Sequence, residues 1–193
     1  MRRRTFDALL TVAGLILATV LVAAGGLLTW ANGFIEDQVT TQLSAQKIYF
    51  PEAGSESAAD PAVKEYVEPY LGQQLTTGEQ ARVYADHYIK AHIDAMTGGK
   101  TYSELSTASR ANPDDQELAG MVQTTFRGET LRGLLLNAYA FWQMGQIALY
   151  GAIAAFAAAA LMLVLSVLGM LHLRRVPVEQ EVRLGRGVRT ATA

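Results

Sequence analysis

The chain has 193 residues, of which 50% are hydrophobic, and it carries a formal net charge of −2 with no cysteine. This length suits one modest domain with added segments, and the lack of cysteine excludes disulfides and thiolate chemistry. Charge is unevenly distributed, because residues 8–35 and 133–173 contain no Asp, Glu, Lys or Arg. A soluble domain of this size could not bury two such runs.

Both uncharged runs contain an apolar segment of transmembrane length. "ALLTVAGLILATVLVAAGGLLTW" begins at Ala8, and "IALYGAIAAFAAAALMLVLSVLGML" begins at Ile147. About 20 apolar residues cross a bilayer core as a helix, which predicts transmembrane helices over 8–31 and 147–171. Small residues at 22–24 resemble a signal-peptide cleavage site. The apolar run is longer than a signal core, so we expect a retained anchor.

Arginines cluster just before the first predicted span and just after the second. They are Arg2, Arg3 and Arg4 before the first span, and Arg174, Arg175, Arg183, Arg186 and Arg189 after the second. The positive-inside rule predicts that both basic termini, 1–7 and 172–193, are cytoplasmic. Residues 31–145 carry 8 Lys/Arg and 15 Asp/Glu, a net charge of −7. We therefore expect a multi-pass plasma-membrane protein with residues 32–146 as an extracytoplasmic domain.

The start of this central domain continues the first helix. Ile35, Val39 and Leu43 are four residues apart, which indicates an apolar stripe on a helix that extends past the first span. The following "KIYFP" reads as extended chain, since Pro51 disfavours helix at Phe50. The sequence then predicts a short helix opening at Asp60–Pro61.

Capping signals delimit the later helices. A capping box pairs Ser or Thr with Glu or Gln three residues later, and we predict two, Thr76 with Glu79 and Thr101 with Glu104. Gly98–Gly99 is the predicted stop between them. We further expect a helix opening at Asn112–Pro113, a break at Gly128 and a last helix from Glu129 to Leu171. The predicted fold class is an all-α membrane protein, with two transmembrane helices flanking an extracytoplasmic helical domain.

The stretch "DHYIKAHID", residues 86–94, is the first candidate for chemistry. Two side chains of one helix share a ligand at three- or four-residue spacing, and His87 and His92 are five apart. Four-residue spacing instead predicts an exposed ladder of alternating charge, consisting of Arg82, Asp86, Lys90 and Asp94. The sequence therefore predicts no metal site, no cofactor and no catalytic residue. A site that needs the two histidines to converge is the alternative.

A second candidate is "FRGETLRGLLLNAYAFWQMGQ", residues 126–146, where the last helix approaches the membrane. It holds charged, amide and aromatic side chains that suit the docking of a partner or a lipid headgroup, namely Arg127, Glu129, Arg132, Asn137 and Trp142. The alternative is a helical stem with internal ion pairs and aromatic anchors. The basic C-terminal tail is expected to attract anionic membrane lipids, and its lack of aromatic residues argues against nucleic acid.

Small residues recur near the outer ends of both predicted spans. Such residues let helix backbones approach closely in lipid. They are Gly25 and Gly26 in the first span, and Gly151, Ala155 and Ala159 in the second. They predict that the two spans pack on each other as a hairpin, or alternatively that this face docks the helix of a partner.

The chain resembles a family of small actinobacterial membrane proteins of unknown function. The resemblance rests on "QVTTQLSAQKIYFP", "GQQLTTGEQARVYADHYI", "GGKTYSEL" and "FRGETLRGLLLNAYAF", which cover most of residues 38–141. Members often carry the label "aromatic ring-opening dioxygenase" small subunit. The resemblance implies a two-span architecture and transfers no catalytic residue.

Together these patterns predict a non-catalytic protein of the cell envelope. We expect an accessory or stabilising subunit of a larger membrane assembly, with a membrane protein or a second copy as partner. The alternative is an extracytoplasmic ligand sensor that acts through a partner, because a tail of about twenty residues is too short for a signalling domain. An enzyme is the third possibility.

Overall fold

The computed structural model describes residues 3–175, of which about 82% are helical. No β-strand occurs in this range, although Tyr49 and Gln74 form an isolated antiparallel bridge. The bridge lies where the sequence predicts extended chain. Arg2 and the tail arginines Arg183, Arg186 and Arg189 lie outside the described residues.

The described chain forms seven α-helices, one 3-10 turn and one π-helical turn. In chain order they are α1 (Arg3–Ala45), α2 (Glu56–Ala59), α3 (Lys64–Val67), the 3-10 turn (Glu68–Tyr70), α4 (Gly78–Val83), the π-turn (Tyr84–Ile89), α5 (Lys90–Thr97), α6 (Tyr102–Ala111) and α7 (Gln116–Leu173). The two long helices, α1 and α7, are each long and apolar enough to cross a membrane.

The chain divides into two compact units. Of the described residues, the apolar unit comprises those up to Trp30 and from Ala148 onward, and the central unit is Ala31–Ile147. Both α1 and α7 contribute to each unit. The predicted continuation of the first helix beyond its apolar run is confirmed, because α1 ends at Ala45.

Inside the apolar unit, α1 and α7 meet along a seam of small and hydroxyl side chains. A Cβ on Gly25 would lie 2.9 Å from the ring of Phe156, and one on Gly151 would lie 3.3 Å from Leu28. Ala159 is buried, Ala155 is half-buried, and a Cβ on Gly26 would meet nothing within 4 Å. Four of the five small residues noted in the sequence therefore lie at or beside this seam.

The seam continues at positions that were not predicted from the sequence. A Cβ on Gly169 would lie 2.6 Å from Thr11 Oγ1, and one on Gly14 would lie 2.5 Å from Ser166 Oγ. Thr11 and Ser166 are only 7% and 3% exposed. Thr11 also donates a hydrogen bond to the Asp7 carbonyl at 2.8 Å. Its hydroxyl is thus satisfied within its own helix while the neighbouring glycine lets the backbones approach.

Large apolar side chains of this unit point outward. Leu10 is 64% exposed, Ile16 61% and Leu161 55%, whereas the buried positions Ala18 and Ala152 carry methyl groups. This order is the reverse of a water-soluble domain, in which large apolar groups are buried.

The central unit has a conventional core. Leu43 from α1 and Leu135 from α7 pack with Phe50 and with other buried residues between α1 and α4, including Val63, Val67 and Leu75. Phe50 is 2% exposed and its ring stacks on Tyr70 with centroids 5.1 Å apart. Burying a side chain of this size stabilises the fold by about 1.5–3 kcal/mol.

Of the two predicted capping boxes, one is confirmed and the other is displaced by one residue. The box at Thr101–Glu104 is confirmed. The earlier box is at Thr77 and Gln80, one residue after the predicted pair. Gln80 is buried, and its Oε1 accepts hydrogen bonds from the backbone N–H groups of Thr76 and Thr77 at 2.8 and 3.1 Å. Tertiary burial therefore selects Gln80 over Glu79.

The predictions for the start and the break of the last helix were wrong. Asn112 is the C-cap of α6, and α7 begins at Gln116, where the Asp115 carboxylate accepts a hydrogen bond from Leu118 N–H at 2.8 Å. Gly128 does not break α7. A Cβ there would lie 2.7 Å from Ile93 Cδ1, so this glycine allows α5 to pack closely.

A close contact also holds α4 against α7. Gly78 faces the side chain of Trp142, and a Cβ at this position would overlap the Trp142 side chain. We expect Gly78→Ala to destabilise the protein by about 1–3 kcal/mol, because added volume in a filled site forces neighbouring groups to move. Unfolding of the full chain in detergent micelles, followed by circular dichroism and Trp fluorescence, measures the change.

Gly133→Ala is the matched control. Gly133 lies inside α7 and a Cβ there would meet nothing within 4 Å. Its replacement should stabilise the helix by roughly 0.5–1 kcal/mol. Equal effects of the two substitutions would show that Trp142 does not restrict position 78.

Candidate functional site

An ion-pair cluster joins α7 to the π-turn. Arg132 Nη2 donates to Asp86 Oδ1 at 2.9 Å, and its Nη1 donates to Glu129 Oε2 at 3.2 Å. The Arg132 side chain is only 24% exposed. Burial acts to lower the pKa of Arg132, but the hydrogen bonds to Asp86 and Glu129 outweigh it and raise the pKa. The guanidinium is therefore a fixed cation that ties two distant segments together.

The predicted charge ladder exists only in its second half. Lys90 pairs with Asp94 at 2.5 Å, as four-residue spacing predicts. Arg82 instead pairs with Glu79 at 2.6 Å, and Asp86 turns to Arg132. The cause is the π-turn over Tyr84–Ile89, since its i→i+5 hydrogen bonds rotate side chains out of α-helical register.

The two histidines have separate surroundings. His87 stacks on Tyr66, with ring centroids 3.5 Å apart and planes 7° apart. The His92 ring is 4.5 Å from the Tyr88 ring, and its Nδ1 lies 2.7 Å from the Tyr88 carbonyl oxygen. Among the residues the structure describes, no group of three or more His, Cys, Asp or Glu side chains is arranged to hold a metal ion.

Two titratable side chains of the π-turn have shifted pKa values. Burial raises the pKa of Tyr84 to about 12, so this residue is a neutral phenol that packs against the core. Burial lowers the pKa of His87, and the nearby Arg82 lowers it further, while Asp86 acts in the opposite direction. His87 is therefore a neutral, stacked ring at pH 7.

The five candidate docking residues fall into three different settings. Glu129 and Arg132 belong to the ion-pair cluster. Trp142 packs against Gly78 and stacks with Tyr139, with ring centroids 6.0 Å apart. Arg127 and Asn137 are exposed. The other three are partly buried.

Asn137 lines a groove between α1 and α7 in the central unit. The groove has a volume of about 500 Å³. Its apolar surface comes from four residues of α1 and three of α7, namely Phe34, Ile35, Val39, Leu43, Leu134, Ala138 and Phe141. Three glutamines accompany Asn137, and they are Gln38 and Gln42 of α1 and Gln46, which directly follows α1. This groove was not predicted from the sequence, although the spacing of the glutamines by four residues indicates one helix face.

One hydrogen bond joins the two helices beside the groove. Asn32 is 9% exposed and its Nδ2 donates to the Gly145 carbonyl at 3.0 Å. A Cβ on Gly145 would lie 3.2 Å from Ile35. The glycine therefore permits α1 to approach the α7 backbone at this point.

No protein-family model, no curated protein and no solved structure matches the chain. The comparisons consequently assign it to no family.

The lowered pKa of His87 predicts that the stability of the protein depends on pH. Because its pKa is lower in the folded protein than the unfolded value of about 6.5, the unfolded chain binds more protons near and just below that pH. The free energy of unfolding should fall as the pH drops below about 6.5.

His87→Phe keeps a ring on Tyr66 and removes the titration. We expect the melting temperature of this variant to depend less on pH than that of the wild type between about pH 7 and pH 5. If the melting temperatures of the two proteins changed equally with pH, the assignment of this pH dependence to His87 would be wrong.

Proposed function

We propose that this protein is an integral plasma-membrane protein that acts, without catalysis of its own, as an accessory or stabilising subunit of a larger membrane assembly. The observation that carries the proposal is the reversed distribution of side chains in the apolar unit. Leucine and isoleucine side chains more than half exposed to solvent are stable on a helix pair only if lipid covers them.

The packing along the seam between α1 and α7 also supports an integral membrane protein. Helix association in lipid has no hydrophobic driving force, so it relies on close packing of small residues and on hydroxyl hydrogen bonds. Gly14 against Ser166 and Gly169 against Thr11 are contacts of this kind. The charge pattern of the sequence supports an orientation with the acidic central unit outside and the basic termini in the cytoplasm.

An exposed aromatic pair beside Arg127 supports docking of a partner protein. Tyr102 and Phe126 are 41% and 51% exposed, and their ring centroids are 5.7 Å apart. Arg127 follows Phe126 on α7 and is exposed. Aromatic residues and arginine carry much of the binding energy in protein interfaces. The ion pairs of Arg132 and Arg82, by contrast, are satisfied within the central unit.

Cysteine labelling tests the orientation. The chain has no cysteine, so a single introduced thiol is unique. We expect Ala95→Cys, at an exposed position of α5, to react with an impermeant thiol reagent on intact cells. Ala191→Cys should react only after permeabilisation. The opposite pattern would invert the topology and remove the proposed setting for docking.

Co-purification tests the accessory role. In mild detergent from the native host, the full chain should carry a stoichiometric membrane-protein companion. We expect Phe126→Ser combined with Arg127→Glu to weaken retention of this companion by about 10-fold or more, since two interface anchors are worth at least 1.4 kcal/mol together.

Arg110→Glu is the charge-matched control, because Arg110 is exposed on α6 and bonds to Ser106 and Thr107 of its own helix. It should leave the companion bound. Recovery of the wild-type chain as a clean monomer would refute the accessory role.

A further inference from the structure

We propose that the groove between α1 and α7 binds a single extended acyl chain of an uncharged membrane amphiphile that carries hydroxyl groups. This ligand site goes beyond the accessory role and does not depend on a partner protein. A volume of about 500 Å³ falls within the range of small-ligand sites, which are mostly apolar with a few convergent polar groups.

The length of the groove suits an extended chain. Its α1 side runs from Phe34 to Gln46, the residue that follows α1, which is about 18 Å at 1.5 Å per residue. An acyl chain laid along this side would meet Val39 of α1, and Leu134 and Ala138 of α7.

The lining selects an uncharged ligand. None of its eleven residues is ionisable, so a charged headgroup inside the groove would lose hydration without gaining an ion pair. The apolar part includes Val39 and Leu43, which are 6% and 1% exposed, together with Leu134, which is 61% exposed. A hydrocarbon chain laid across these residues would cover Leu134 and remove its apolar surface from water.

The amide side chains explain why the ligand should carry hydroxyl groups. Gln38, Gln42, Gln46 and Asn137 are all exposed at the groove. Each amide offers donors and an acceptor but no charge. Hydroxyl groups both donate and accept, so a glycerol or sugar headgroup matches this set.

In sequence, the residues that line the groove lie close to the predicted spans. Its two phenylalanines, Phe34 and Phe141, are three and six residues from the predicted spans that end at residue 31 and begin at 147. Aromatic residues of this kind populate the interface between lipid and water.

The test uses the full chain in lipid nanodiscs that contain a monoacylglycerol with a photoactivatable diazirine near the end of a palmitoyl chain. After illumination, mass spectrometry locates the crosslinked residues. We expect crosslinks on 34–46 and 134–141 in addition to the spans. Ala138→Phe, which fills the groove, should reduce the groove crosslinks by about 10-fold.

Ala140→Phe is the matched control, because Ala140 is exposed on α7 and does not line the groove. Its groove crosslinks should stay within about 2-fold of the wild type. Leu134→Asn is a second variant that adds polarity at an exposed position without overpacking the core, and it should reduce the crosslinks as well. Circular dichroism checks that each variant is folded.

Crosslinks confined to 8–31 and 147–171 in the wild type would overturn this inference and leave the membrane location standing. Crosslinks in neither region would refute both. Groove crosslinks unchanged by Ala138→Phe, with loss of a protein companion instead, would show that the groove docks a partner helix and would also overturn the inference.

Discussion

The hydrogen bond from Asn32 to the Gly145 carbonyl is the constraint on which the central unit depends. It fixes α1 against α7 at one point, and the missing side chain of Gly145 lets Ile35 come close. A buried amide that lost this acceptor would leave a polar group unsatisfied, at a cost of about 1–3 kcal/mol. With the helices tied there, Leu43 and Leu135 reach the same core, and the wider space beyond the tie remains as the groove.

The two units use opposite rules for what is buried. The apolar unit buries methyl and hydroxyl groups and exposes leucine and isoleucine, whereas the central unit buries Phe50 and Leu75 and exposes most of its charges. The polar cluster of Arg132, Asp86 and Glu129 joins α7 to the π-turn and serves the architecture of the central unit. The groove has no ionisable side chain among its eleven lining residues, and the proposed acyl-chain site rests on this feature.

Local signals in the sequence predicted the two long helices and one of the capping boxes of the shorter helices. The length of the two apolar runs indicates the two long helices, and the stripe of Ile35, Val39 and Leu43 indicates that α1 continues beyond its apolar run. The capping box of Thr101 and Glu104 needs no contact outside its own turn. Where two local answers fit equally, only packing decides, as with Thr77–Gln80 over Thr76–Glu79. Gly128 is predicted to break the helix from the sequence alone. Its actual role depends on Ile93, which fills the space beside it. The Arg132–Asp86 pair and the groove join segments that are tens of residues apart, and no pattern within either segment announces the other.

The π-turn at Tyr84–Ile89 also bears on how the length of this chain can vary. A π-turn accommodates one residue more than the α-helix it interrupts. Removal of a single residue from it would restore regular α-helical hydrogen bonding while the flanking α4 and α5 keep their phase. The buried contacts of Ala85 in the core and the bond from Arg132 to Asp86 would change, because both residues lie in the turn. This segment is thus a place where the chain can shorten by one residue at the expense of contacts made within the turn itself.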